Sequence, residues 1–95
     1  MAELDPLIHA PTRLQVVTTL SAVSEAEFAT LRAALEVSDS VLSKHISALA
    51  DAGYVRTRKG VREGRRTTWI TLTNAGRKAL RQHVTALRRL IDMVD

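Results

Sequence analysis

The chain has 95 residues, 45% of them apolar, with no cysteine and a net charge of +4. That length sets a single domain over residues 1–95, near the small end of what folds alone. The composition excludes a disulfide framework or thiolate metal site, no apolar run approaches the roughly 18 residues of a membrane span, and MAELDPLIHAPTRL lacks the marks of a secretory signal. A cytoplasmic protein is therefore expected.

In chain order, LDPLIH reads as a short helical lead-in. TRLQVVTTLSAV follows, with Leu14, Val17 and Leu20 at helical spacing and Pro11 at a favourable helix start. SEAEF has the spacing of a capping box, with Ser24 as cap and Glu27 reaching back. The helix it opens is expected to run to about Leu35, burying Phe28, Leu31 and Leu35.

Only Glu36 and Val37 separate that helix from Ser38, the next expected N-cap, with Asp39 in the first turn where the helix dipole favours an acid. This third helix should reach about Ala52 and stop at Gly53. At about 100° per residue, Leu42, Ile46, Leu49 and Gly53 share one side, and Ser40, Ser43, Lys44, Ser47 and Asp51 the other. Serine is a middling helix former and an odd choice for a solvent face. A short, polar, low face suits a helix that must approach something closely. Two helices joined by so short a turn, over about residues 24–52, match a helix-turn-helix.

The period then changes. YVRTRK (54–59) and TTWITLT (67–73) alternate and are rich in Val, Thr, Trp and Ile, as strands are. Between them GVREGR forms a basic loop, so residues 54–73 read as a hairpin. Thr73 should cap a last helix over about 74–94, in which Leu80, Val84, Leu87, Ile91 and Val94 are spaced like a coiled-coil seam that Leu90 widens. Charge divides along the same line. Residues 1–50 carry three basic and six acidic side chains; residues 51–95 carry eleven and four, six of the eleven between Arg56 and Arg66. Such a cluster points to a polyanionic partner.

The resulting class is α+β, mainly α: three helices, a two-stranded wing and a long C-terminal helix suited to dimerisation. The order resembles the winged helix-turn-helix. APTRLQVVTTL, LEVSDSVLSKHISALADAGYV and GRRTTWITLTNAGRKAL are similar to successive segments of small MarR- and ArsR-type transcriptional regulators, in particular the short winged-helix DNA-binding domain family. The similarity extends over about residues 4–90 and is most specific from Ser38 to Val55.

What the resemblance implies is a dimeric, sequence-specific binder of double-stranded DNA, more a repressor than an activator, reading a palindrome. Ser38, Asp39, Ser40, Ser43, Lys44 and Ser47 would meet bases and phosphates from the major groove, about 12 Å wide. Arg58, Lys59, Arg62, Arg65 and Arg66 would anchor the wing on the backbone or in a minor groove, with Arg65 the leading candidate. Glu63 is expected to pair with a neighbouring arginine. The apolar seam from Leu80 to Val94 would pair with its copy.

One departure stands out. Glu36 holds a turn position where such families carry Gly or Asn, so a differently built turn is expected there. His9, His45 and His83 are scattered, and neither a metal site, a cofactor nor a catalytic set is expected. A small-molecule effector stays open. The alternative reading is a winged-helix module that holds a protein partner without sequence-specific DNA binding.

Overall fold

The computed structural model describes residues 3–94. Five helices and three strands follow one another as α1 (Pro6–His9), α2 (Pro11–Ser21), β1 (Ala26–Glu27), α3 (Phe28–Leu35), α4 (Asp39–Asp51), β2 (Val55–Arg62), β3 (Arg65–Leu72) and α5 (Asn74–Asp92). The architecture is mainly helical with a small antiparallel sheet, as a winged helix requires.

One apolar cluster joins the layers. Val17 and Leu20 of α2, Leu31 of α3, Leu42, Ile46 and Leu49 of α4, and Val55, Ile70 and Leu72 of the sheet are all buried in it. Leu14, Phe28 and Leu35 pack on it half-buried. The 3.6-residue spacing in the sequence thus selects the inward faces of α2, α3 and α4.

Helix ends follow local chemistry. Asp5 caps α1, its Oδ1 accepting from the N–H of Leu7 at 2.9 Å. Ser38 Oγ accepts from Val41 N–H at 3.2 Å, and Thr73 Oγ1 from Gly76 N–H at 3.0 Å. Gly76 itself carries α5 onto the Tyr54 carbonyl, where an added Cβ would collide with the oxygen.

Two expectations are corrected here. Ser24 and Glu27 form no capping box: Glu27 is itself the N-cap of α3, extended at φ −73° and ψ 139°, without a side-chain cap bond. Ala26 and Glu27 instead make a third strand, paired with Ile70 and Trp69 of β3, and the sheet order is β1-β3-β2. Sheet pairing replaces the side-chain cap and leaves the carboxylates of Glu25 and Glu27 to act elsewhere. The hairpin loop is also tighter than the sequence suggests. β2 and β3 pair continuously from Val55↔Leu72 to Arg62↔Arg65, leaving Glu63 and Gly64 as the turn, at φ 53° and 78°. Two positive φ values are what a type I′ hairpin demands.

The turn between α3 and α4 is not differently built. Glu36 takes the left-handed conformation at φ 55° and ψ 45° despite its side chain. Its N–H bonds Ala33 O at 3.2 Å and the Val37 N–H bonds Arg32 O at 3.4 Å, the pairing of a Schellman motif. A non-glycine residue there costs about 1–2 kcal/mol.

Candidate nucleic-acid interface

α4 divides cleanly into two sides. Leu42, Ile46 and Leu49 are buried, while Ser40, Ser43, Lys44, Ser47 and Asp51 are all exposed on the opposite side. Not every predicted contact residue is free. Ser38 is spent on the cap and lies 3.2 Å from the hydroxyl of Ser40. Asp39 accepts Arg32 Nε at 2.8 Å, so it works as a first-turn charge and a clamp on α3. Ser43, Lys44 and Ser47 keep their polar atoms uncommitted among the described residues.

Arg13 is a residue that sequence reasoning missed. It lies half-buried on α2, with no hydrogen-bond partner for its Nε among the described residues. His45, half-buried at the edge of α4, has its pKa held below the ordinary 6.5 by burial and then by the positive charges of Arg13 and Lys44. The flank of α4 therefore sits in a positive field. Nothing in the periodicity brings residues 13 and 45 together, so only the packing of α2 on α4 reveals it.

The six wing cations fall into two groups. Arg58 donates to both oxygens of Glu25, from Nη2 at 2.8 Å and Nε at 3.3 Å, and stands 5.6 Å above the ring centre of Trp69. Arg62 Nη1 donates to Glu27 Oε2 at 3.4 Å. Lys59 Nζ reaches Thr68 Oγ1 at 3.4 Å, a neutral partner that leaves its charge uncompensated. Arg56, Arg65 and Arg66 are exposed and form no ion pair among the described residues. Glu63, in the left-handed position of the turn, forms none either among the described residues, contrary to expectation.

A sequence profile described as winged helix DNA-binding domain matches residues 12–91. The chain belongs to that family. An uncharacterised protein of Methanocaldococcus jannaschii is 30% identical over 89 residues, covering 94% of this chain and 97% of its own. A transcriptional regulator homologue from Pyrococcus horikoshii superposes with a TM-score of 0.88 at 26% identity, over 94% of this chain and 88% of that one. The PcaV transcriptional regulator of Streptomyces coelicolor, solved with its natural ligand, shares the fold with a TM-score of 0.77 at 19% identity; 96% of this chain covers 63% of it. A zinc-responsive MarR family member of Lactococcus lactis and a possible transcriptional regulator for arsenical resistance are also structural neighbours.

In this winged helix the expected dimer seam divides along α5. Leu80, 9% exposed, belongs to the intramolecular core cluster. Val84 packs half-buried on the same cluster, and Leu87 is half-buried. Beyond them Leu90, Ile91 and Val94 are bare, at 46%, 64% and 88% exposed.

The N-terminal half of α5 is fixed by a polar network instead. His83, fully buried, accepts the Asp5 N–H on Nδ1 at 3.0 Å, and its Nε2 lies 3.4 Å from His9 Nδ1. Asp5 Oδ2 accepts the Tyr54 hydroxyl at 2.7 Å, a bond that raises the Tyr54 pKa above 10.0, with burial and the Asp5 charge adding to it. Burial lowers the His83 pKa, as does the neighbouring His9, while Asp5 works the other way. Among the described residues no group of three His, Cys, Asp or Glu side chains is placed to hold a metal ion. A cleft of about 420 Å³ lies between the end of α2 and α5, with Leu80 and Val84 beside Arg77, Arg81 and Arg88. Arg77 is committed there, donating to the carbonyls of Ser21 and Val23 at 3.0 and 3.4 Å. No helix among the described residues is long and apolar enough to cross a membrane.

Proposed function

We propose that the chain is a transcriptional regulator that binds double-stranded DNA as a homodimer, with α4 in the major groove and the wing on the flanking backbone. The observation that carries this is the outward side of α4. Its exposed residues include Ser40, Ser43 and Ser47 beside Lys44, with Asp39 and Asp51 toward its two ends; the short hydroxyls let the helix axis come close to base edges, and a cationic hairpin follows it in the chain. Ser43 and Ser47 can donate or accept at bases, Lys44 suits a guanine or a phosphate, and Arg65 and Arg66 suit phosphate.

Dimerisation rests on the apolar end of α5, where Leu90, Ile91 and Val94 remain exposed to solvent. A two-fold pair would meet a palindrome with half-sites about 34–36 Å apart. Sedimentation should show a dimer that Ile91→Asp converts to monomer without loss of fold. The assigned role is repression, since a small domain that presents its charged surface to DNA acts most simply by occupying an operator.

Selecting bound fragments from a random duplex pool, then titrating the winner at two salt concentrations, tests partner, specificity and symmetry together. A palindromic consensus and a steep loss of affinity with salt are expected. Binding with no consensus and no salt dependence would favour a protein-holding module.

A further inference from the structure

The two faces of the hairpin are built differently. Register places Val55, Thr57, Lys59 and Val61 on one face with Leu72, Ile70, Thr68 and Arg66. This face enters the apolar core at its base, through Val55, Ile70 and Leu72. Arg56, Arg58, Gly60 and Arg62 lie on the other, with Thr71, Trp69, Thr67 and Arg65 and, across β3, Glu27.

Around Trp69 that second face is a closed cluster, while Arg56 and Arg65 on it are exposed and form no ion pair among the described residues. A Cβ at Gly60 would lie 3.1 Å from Cδ1 and Nε1 of Trp69 and 3.2 Å from Arg58 Nη1, so the indole and the guanidinium fill the space a side chain would take. Arg58 covers the indole and is gripped in bidentate fashion by Glu25. Arg62 reaches Glu27, whose side chain is only 14% exposed.

We infer that Arg58 and Arg62 are positioning residues, held by Glu25 and Glu27 so that the hairpin keeps a fixed angle to α4, and that Lys59, Arg65 and Arg66 supply the wing's phosphate contacts. The inference rests on the DNA-binding reading above. Exposed ion pairs are individually weak, so phosphate is the natural competitor for these two arginines. Geometry decides against it. To reach phosphate, Arg58 must give up two hydrogen bonds and the indole face, and Arg62 must abandon a carboxylate that is mostly covered. Lys59, Arg65 and Arg66 give up no ion pair.

The test is the salt dependence of duplex binding by the full chain and its single variants, each first checked for an unchanged circular-dichroism spectrum. Lys59→Gln, Arg65→Gln and Arg66→Gln should each reduce the slope of log K against log salt by about 0.9. Arg58→Gln and Arg62→Gln should leave the slope at its starting value while lowering affinity several-fold. Glu25→Gln and Glu27→Gln should weaken binding too, although each removes a negative charge near DNA. The swapped pair Glu25→Arg with Arg58→Glu should recover most of the loss. A slope reduced by about one in Arg58→Gln or Arg62→Gln, or tighter binding by either Glu→Gln variant, would overturn the inference and make the carboxylates competitors for phosphate. Failure of the unaltered chain to show salt-dependent binding would instead remove the DNA reading itself.

Discussion

α4 and the wing both face the same proposed partner, yet they are held in place by opposite means. α4 is anchored by three buried aliphatic side chains and uses almost none of its outward surface for its own stability, apart from Ser38 and Asp39 at its start. The wing is anchored only at its base, and its outer half is held by arginine, glutamate, indole and a missing side chain at Gly60. The difference teaches that the proposed base reading and backbone gripping would draw on separate structural resources. Changes on the outside of α4 should alter preference without touching the fold, whereas changes in the wing cluster should alter geometry.

The sharpest test of this contrast is in stability. Leu42→Ala removes a fully buried side chain from α4 and should cost about 2–5 kcal/mol in thermal or urea unfolding. Trp69→Ala, in the half-buried wing cluster, should cost roughly 1–2 kcal/mol. Equal losses would break the contrast and make the outer wing part of the core.

Next in size are the effects on binding. Replacing Ser43 and Lys44 by alanine should reduce discrimination against wrong bases by about 1–3 kcal/mol per lost contact and leave unfolding within about 0.5 kcal/mol of the original. Arg65→Ala should weaken operator and random duplex alike. If the Ser43/Lys44 variant kept its preference, α4 would not be the reading helix.

A smaller gain is expected at the turn that leads into α4. Glu36→Asn puts a residue that tolerates the left-handed region where Glu36 now sits and should stabilise by about 1 kcal/mol. In a domain of this size that corresponds to a rise of about 4–8 °C in Tm.

The smallest effect is a dependence on pH at the joint between the two regions. Tyr54 lies between α4 and β2, and Asp5 ties it to the backbone that His83 receives. With its folded pKa lowered, His83 binds fewer protons in the folded than in the unfolded chain just below pH 6.5. Its contribution is thus present above about pH 6.5, the unfolded value, and is lost as pH falls. His45 acts in the same direction. His83→Gln should lower stability at neutral pH and flatten the acid side of the curve.

How much of this the sequence carries depends on the range of the interaction. The inward face of α4, the caps at Ser38 and Thr73 and the stop at Gly53 are local patterns, and the structure has them where the residues indicate. β1 is two residues long and has no periodicity to read, and Ser24 with Glu27 imitates a capping box. Glu25 and Glu27 alternate as Arg58 and Arg62 do two strands away, but only the antiparallel register of β1 on β3 turns that alternation into ion pairs. The apolar repeat of α5 is plain in the sequence. Repeat spacing cannot say that the fold itself claims Leu80 and leaves Ile91 uncovered.

The chain has one tryptophan, and it is the residue that lies beneath Arg58 in the wing. Its emission spectrum is therefore a label-free optical gauge of the hairpin, with no second indole to blur the signal. A shift in wavelength or quenching on mixing with DNA would time the moment the wing engages, separately from whatever α4 is doing.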